Sequence, residues 1–121
     1  MNLRALQSDH KKWLAHNFPN QQPHEPLLGI VEEVGELSHA HLKYKQGIRG
    51  LTKSEYQRQA MDAIGDLVIY LASYCNSNDL NLEYCVFATW DKVKHRDWVA
   101  DPQRGGEDER AAAGSSVRAD T

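Results

Sequence analysis

The sequence predicts an all-α fold of four helices, a bundle-like domain with an antiparallel central pair. Apolar residues recur every three or four positions through four long runs, which is the periodicity of amphipathic helices. Clusters of Pro, Gly and Asn separate these runs, and no segment alternates polar and apolar residues as a strand does. With 121 residues the chain is long enough for one domain with a modest core, and we expect that domain to cover residues 1–100.

The first two runs are separated by a loop rich in proline. The first predicts a helix over residues 3–17, with an apolar face of Leu3, Leu6, His10, Trp13 and Leu14. The segment 18–26 contains three prolines and predicts a loop. The second run predicts a helix over residues 27–46, which Gly47 ends. The apolar stripe of this helix is Leu27, Ile30, Val31, Val34, Leu37, His41 and Tyr44.

The third and fourth runs follow a clear helix-start signal. Thr52, with Glu55 three residues later, predicts a capping box that begins a helix over residues 53–77. The residues of this helix that we predict to be buried are Ala60, Met61, Ile64, Leu67, Val68, Leu71 and Cys75. The fourth run predicts a helix over residues 81–98.

The end of the chain differs in composition from the rest. Residues 101–121 contain no aromatic residue and one branched aliphatic residue, Val117. Such a segment buries too little apolar surface to offset the entropy lost on ordering. We therefore expect a disordered tail over residues 101–121.

Bulk properties exclude several classes of protein. No apolar run approaches the roughly 20 residues that span a bilayer, and the first residues lack the apolar core of a signal peptide. The net charge of -3 argues against a nucleic-acid binder, which usually carries a basic surface. We expect a soluble, cytoplasmic protein that binds neither membranes nor nucleic acid.

Two short segments of the chain repeat one another. Residues 32–37 and 62–67 both read acid, two residues, glycine, acid, leucine. Gly35 and Gly65 occupy equivalent positions, although glycine inside a helix costs about 1 kcal/mol relative to alanine. Close approach of the two helices beside a charged cluster would explain both glycines. The alternative is coincidence on two exposed helix faces.

The repeated segments carry carboxylates at helical spacing. The carboxylates are those of Glu32, Glu33, Glu36, Asp62 and Asp66. Residues three or four apart share a helix face, so the acids converge if the two helices pack with these faces together. A cluster of this kind repels itself unless a cation neutralises it. Oxygen-only ligands favour Mg²⁺ or Mn²⁺, which indicates an enzyme acting on phosphates.

These segments resemble those of the all-α nucleoside triphosphate pyrophosphatases, specifically the MazG-like proteins. The stretches 39–50 and 90–98 add to the resemblance, which covers about residues 1–100. It implies Mg²⁺-dependent hydrolysis of (d)NTPs between the α- and β-phosphates, giving a monophosphate and pyrophosphate. It also implies a role in sanitation of the nucleotide pool and assembly as a homodimer or homotetramer.

The family motif is Glu-x-x-Glu followed by Glu-x-x-Asp. Glu33, Glu36 and Asp66 match three of its acids, and the resemblance implies that they bind metal. Ala63 stands where the motif has its third acid. Asp62 is one residue away and shares the face of Asp66, so it is a candidate replacement ligand.

Other residues are candidates for catalysis and substrate binding. We expect Glu32 or Glu33 to accept the proton of the attacking water. Lys92 and Arg96, four apart, would share a helix face and clamp phosphates, although a solvated basic face explains them equally well.

Two further residues are weaker candidates for contacts with substrate. Lys43 lies two helical turns past Glu36 on the same face and is another possible phosphate contact. Trp13 could stack on a base, and the alternative is that it packs in the core.

Two alternatives to the enzyme and one alternative to the oxygen-only metal site remain open at this point. A non-catalytic helical module that binds nucleotide or metal is favoured by Ala63. A structural helical protein would carry these acid spacings by chance. A mixed site that includes His39, three residues past Glu36, would favour Mn²⁺, Fe or Zn²⁺.

Overall fold

The computed structural model describes residues 1–106, which form four α-helices and contain no strand. The helices are α1 (Leu3–Asn17), α2 (Glu25–Gln46), α3 (Lys53–Ser77) and α4 (Leu82–Val93). The all-α prediction is confirmed for these residues, and α1 and α3 have the predicted bounds. None of the described helices is long and apolar enough to cross a bilayer.

The helix ends follow from local sequence. Asn2 Oδ1 accepts a hydrogen bond from Ala5 N at 2.8 Å and caps α1. The predicted capping box of α3 is confirmed, since Glu55 N donates to Thr52 Oγ1 and Thr52 N to Glu55 Oε2, both at 3.1 Å. Gly47 ends α2 with a φ of 65°, a left-handed conformation that glycine adopts without strain.

Helices α2 and α3 form the central pair, joined by the short loop 47–52. A loop of this length between packed helices makes them antiparallel. The buried residues of the pair are mostly small: Pro26, Gly29, Glu33 and Ala40 on α2, and Ala60, Ala63, Ala72, Ser73 and Cys75 on α3. The ring of Tyr70 lies directly against Gly29, where a Cβ would overlap it. The absence of a side chain at Gly29 therefore permits this contact.

Several large apolar residues of the predicted apolar faces are exposed, including two that were predicted to be buried. Val31 and Val34 on α2 are 69% and 46% exposed, and Met61 and Ile64 on α3 are 66% and 50% exposed. The prediction for Met61 and Ile64 was wrong because α3 buries its small residues and turns these two outward. Leu27 continues the exposed stripe on α2.

A separate set of contacts holds α1 on α3. Its apolar part consists of Ala72, Cys75 and Leu82, with Leu3, Val68 and Leu71 packed around them. Gln7 of α1 supplies the polar part: its Nε2 donates to Asn76 Oδ1 at 3.0 Å and to Leu80 O at 2.8 Å. Gln7 Oε1 accepts from Leu82 N at 2.8 Å, so one side chain connects α1, α3 and the start of α4.

The chain divides into two compact units, residues 1–83 and the residues from Tyr84 onward. In the second unit, α4 ends at Val93 and not at residue 98, which corrects the predicted length. The chain turns after Val93, where Asp97 Oδ1 accepts from Val99 N at 3.0 Å and Ala100 N at 2.9 Å.

The start of the expected tail is also a turn. The sequence predicts disorder from residue 101, but Asp101 accepts hydrogen bonds from Arg104 N and Gly106 N, both at 3.1 Å. This side chain supplies acceptors that composition alone does not reveal. The remainder of the expected tail, residues 107–121, lies outside the described residues.

Candidate metal centre and adjoining cavity

Three glutamates of α2 lie close together. One carboxylate oxygen from each of Glu32, Glu33 and Glu36 lies within 4.8 Å of the others. Glu32 and Glu36 are exposed, whereas Glu33 is only 5% exposed. Glu33 Oε2 is buried and has no hydrogen-bond partner within residues 1–106. A buried carboxylate oxygen in this state is unfavourable unless a proton or a cation compensates it.

The surroundings of Glu33 raise its pKa to about 6. Burial is the largest cause, and repulsion by Glu36 and a hydrogen bond with Glu36 follow. The charges of Asp66 and Glu32 act in the same direction. Since Asp66 belongs to α3, the α2 cluster and one acid of the second segment influence the same carboxyl group.

Tyr70 is a residue of this region that the sequence reasoning missed. Its pKa is raised by burial first and then by the charges of Glu32, Glu33, Asp66 and Glu36. Tyr70 lies four residues past Asp66 and therefore on the same helical face. That spacing was a usable signal, and the contact with Gly29 places the ring between α2 and α3.

The second acidic segment places fewer charges around Glu33 than the first segment does. Asp62 is exposed, lies outside the glutamate cluster, and is not among the charges that raise the pKa of Glu33. Ala63 is only 3% exposed, so the position equivalent to Glu33 carries a buried methyl group in the second segment. A metal-binding role for Asp62 stays a prediction.

Neither of the two repeated glycines lies in a close contact between helices. A Cβ added at Gly35 or Gly65 would meet no atom of the described chain within 4 Å. The explanation by close approach of α2 and α3 at these two positions is therefore wrong. Gly29 is the residue that permits close contact between the helices.

A cavity of about 630 Å³ adjoins the acids, within the size range of small-molecule sites. Glu33 and Asp66 both line it. Its aromatic lining consists of His10, Trp13, Phe18 and Tyr70. All of these residues belong to the first unit. One concave site thus combines carboxylates with flat aromatic surfaces.

The aromatic residues of the cavity contact one another. Trp13 stacks on His10 with ring centroids 5.6 Å apart and lies 5.8 Å from the ring of Phe18. Trp13 is 52% exposed and Phe18 58%, so neither is a core residue, although core packing had been an alternative for Trp13. A polar pair is also present, since Gln21 Nε2 donates to Ser73 Oγ at 3.0 Å.

None of the three predicted basic contacts is among the residues that line the cavity. Lys43 Nζ donates to Gln46 Oε1 at 3.3 Å at the end of α2. Lys92 is in the last turn of α4, and Arg96 lies beyond the end of that helix. The prediction that Lys92 and Arg96 share one helical face was wrong, because α4 stops at Val93. Their role in phosphate binding stays a prediction.

The cluster on α2 contains only carboxylates. The alternative ligand His39 is not a member, and within residues 1–106 the grouping consists of three glutamates. His41 Nδ1 lies 3.5 Å from the hydroxyl of Tyr56, whose ring stacks on Tyr44 at 4.9 Å. Carboxylate oxygens suit hard cations such as Mg²⁺ and Mn²⁺, and the unpartnered Glu33 Oε2 fits a ligand to such an ion.

Comparison with known proteins leaves the chain without an assigned family. No protein family, curated protein or solved structure matches it.

Proposed function

We propose that the protein is a Mg²⁺-dependent nucleoside triphosphate pyrophosphohydrolase that cleaves (d)NTPs between the α- and β-phosphates. The observation that carries this proposal is a cavity that Glu33 and Asp66 line together with Trp13 and Phe18. Carboxylates suit the cation that accompanies a triphosphate, and aromatic faces suit its base. A role in sanitation of the cytoplasmic nucleotide pool accords with such a site.

The carboxylates would have different roles in the reaction because their surroundings differ. Glu33, Glu36 and Asp66 would hold Mg²⁺, and Mn²⁺ could replace it. Asp62 would bind the ion directly or through a water molecule. When bound, the ion supplies charge neutralisation for the triphosphate and lowers the pKa of a bound water. Glu32 or Glu33 takes the proton of the attacking water as the α–β anhydride bond breaks, which releases monophosphate and pyrophosphate. The pKa of Glu33, about 6, applies without metal, and a bound cation would lower it.

The remaining candidates would orient the substrate. Trp13 offers an exposed aromatic face inside the cavity for stacking on a base. Lys43, Lys92 and Arg96 are proposed contacts for the phosphates and for the released pyrophosphate.

The exposed apolar stripe supports assembly of the protein as a homodimer or homotetramer. Leu27, Val31 and Val34 on α2, and Met61 and Ile64 on α3, are all at least 45% exposed. Exposed apolar residues in this number commonly mark an interface between subunits. Light scattering after gel filtration would give the mass, and a monomeric species at micromolar concentration contradicts this part of the proposal.

The reaction itself is tested with a panel of NTPs and dNTPs. Each is incubated with the protein in Mg²⁺, in Mn²⁺ and in EDTA, and the products are separated by ion-exchange chromatography. The proposal predicts monophosphate and pyrophosphate in equal amounts, only with metal, and none with Glu36→Gln. Release of orthophosphate, or equal rates in EDTA, contradicts it.

The buried Ala63 favours one second candidate, a non-catalytic module that binds nucleotide and metal. The same panel separates the two functions. Metal-dependent nucleotide binding by calorimetry, without turnover by protein shown to be folded, would select the binding module.

A further inference from the structure

Two residues that line the cavity carry buried polar atoms without hydrogen-bond partners among the described residues. They are Glu33, through Oε2, and His10, through Nε2. The cation of the proposed function would compensate the carboxylate of Glu33. Nothing in the proposed chemistry uses His10, which lies on α1 and is only 8% exposed.

The imidazole of His10 is held in a defined position. It stacks on Trp13 with an angle of 27° between the rings, and burial lowers its pKa. A neutral imidazole has one nitrogen that donates and one that accepts a hydrogen bond. Leaving such a nitrogen buried and unpaired is unfavourable, so the site favours an occupant that supplies a partner.

We propose that His10 is a specificity-determining residue that hydrogen-bonds through Nε2 to the edge of a nucleobase bound in the cavity. The inference rests on the proposed function, because the base is part of the proposed substrate. A base offers ring nitrogens, carbonyl oxygens and amino groups along one edge, and its flat face matches the exposed ring of Trp13. In a largely apolar pocket, one placed polar group fixes the orientation of the ligand.

A phosphate group is the poorer occupant beside His10. A neutral imidazole offers one uncharged donor, whereas phosphate recognition normally uses Arg, Lys or a row of backbone N–H groups. Asp9, Glu33 and Asp66 also line the cavity, and their negative charges oppose an anion without a cation. The base is therefore the part of a nucleotide that His10 fits.

The first test uses uncharged probes and requires neither metal nor catalysis. The full chain is titrated in EDTA with the common ribonucleosides, and with ribose as the probe that lacks a base. The ¹⁵N signal of His10 Nε2 should move with at least one nucleoside and stay in place with ribose. No movement with any nucleoside, or equal movement with ribose, would overturn the proposal.

Variants test the same contact by affinity. His10→Phe keeps an aromatic ring without the nitrogen and should raise the dissociation constant of the best nucleoside about tenfold. His10→Gln restores a polar group, and we expect it to recover most of that loss. His16→Phe is the matched control, since His16 is exposed on the same helix and is absent from the cavity lining. Equal affinity of His10→Phe and the wild-type chain would overturn the proposal.

The kinetics separate this inference from the proposed function. If the chain hydrolyses NTPs, His10→Phe should raise KM and change the ranking of the bases while leaving kcat nearly unchanged. Hydrolysis with an unchanged ranking of bases would overturn the inference and leave the function intact. Nucleoside binding that depends on His10, without any hydrolysis, would support the inference and contradict the function.

Discussion

The acidic segments of α2 and α3 can be compared position by position. Glu33 and Ala63 occupy equivalent positions and are buried to nearly the same degree, at 5% and 3% exposure. The next residues, Val34 and Ile64, are 46% and 50% exposed. Helix packing therefore gives equivalent positions of the two segments similar exposure. The segments differ in the chemistry of the side chain at the buried position. One buried position holds a carboxylate that needs compensation, whereas the other holds a methyl group that needs none. The comparison therefore places the need for a compensating proton or cation on α2.

Removing the charge of Glu33 leaves both buried positions uncharged and should have the largest effect of the four changes that test this comparison. Glu33→Gln keeps the size of the side chain but weakens a proposed metal ligand. We expect Mg²⁺-dependent pyrophosphate release to fall about 100-fold or more, since loss of a residue that only supports a ligand costs about 10- to 100-fold. Glu25→Gln, an exposed acid in the first turn of the same helix, is the control and should be fully active. Wild-type rates in Glu33→Gln would remove Glu33 from the site.

Adding a charge at Ala63 would instead place a carboxylate at the buried position of both segments. In EDTA at pH 7.5, Ala63→Glu should lower the free energy of unfolding by about 3 kcal/mol, because it buries a second carboxylate without a partner. Ala63→Gln has the same size without the charge and isolates the cost of packing. We expect Mg²⁺ to narrow the gap between the two variants in urea unfolding. A gap that Mg²⁺ does not change would show that the added carboxylate does not face the cation.

The raised pKa of Glu33 predicts how stability depends on pH without metal. The folded-state value of about 6 exceeds the ordinary value of 4.5, so the folded state binds this proton more tightly than the unfolded state. Its contribution is fully present below pH 4.5 and is lost as the pH rises through 6. The loss amounts to about 2 kcal/mol at most. In EDTA, the wild-type chain should therefore lose stability relative to Glu33→Gln between pH 4.5 and 6.5, and parallel curves would contradict the assignment.

Asp62 should give the smallest effect of the four changes. It is exposed and lies outside the glutamate cluster, so its charge reaches the site through solvent. We expect Asp62→Asn to weaken Mn²⁺ binding about threefold, in line with the small energies of exposed charge interactions. A loss as large as that of Glu33→Gln would show that Asp62 is a direct ligand and replaces the acid missing at Ala63.

Local sequence signals predicted most of the fold. The capping box of Thr52 and the left-handed Gly47 depend on residues within a few positions of each other, and both are present. The errors concern which face of a helix is covered. Met61 and Ile64 repeat at helical spacing and are apolar, yet they are exposed. Periodicity shows that a face is apolar but does not show which partner covers it.

The same distinction applies to the site. The glutamates of α2 were predictable as a cluster because three- and four-residue spacing within one helix fixes their proximity. His10 was assigned no role from the sequence, because its place in the cavity depends on how α1 lies on α3. No spacing along the chain carries that information. Tyr70 is an intermediate case. Its four-residue spacing from Asp66 is visible in the sequence, whereas the contact of its ring with Gly29 is not.

Binding of Mn²⁺ tests the central claim most directly, because Mn²⁺ substitutes for Mg²⁺ and its free ion is measured by electron paramagnetic resonance. The wild-type chain at pH 7.5 should remove free Mn²⁺ from solution with saturable stoichiometry, and Glu33→Gln should bind at least tenfold more weakly. Glu25→Gln should match the wild-type chain. A wild-type chain that binds no Mn²⁺, or a Glu33→Gln chain that binds it equally well, would contradict a metal centre built on the first acidic segment.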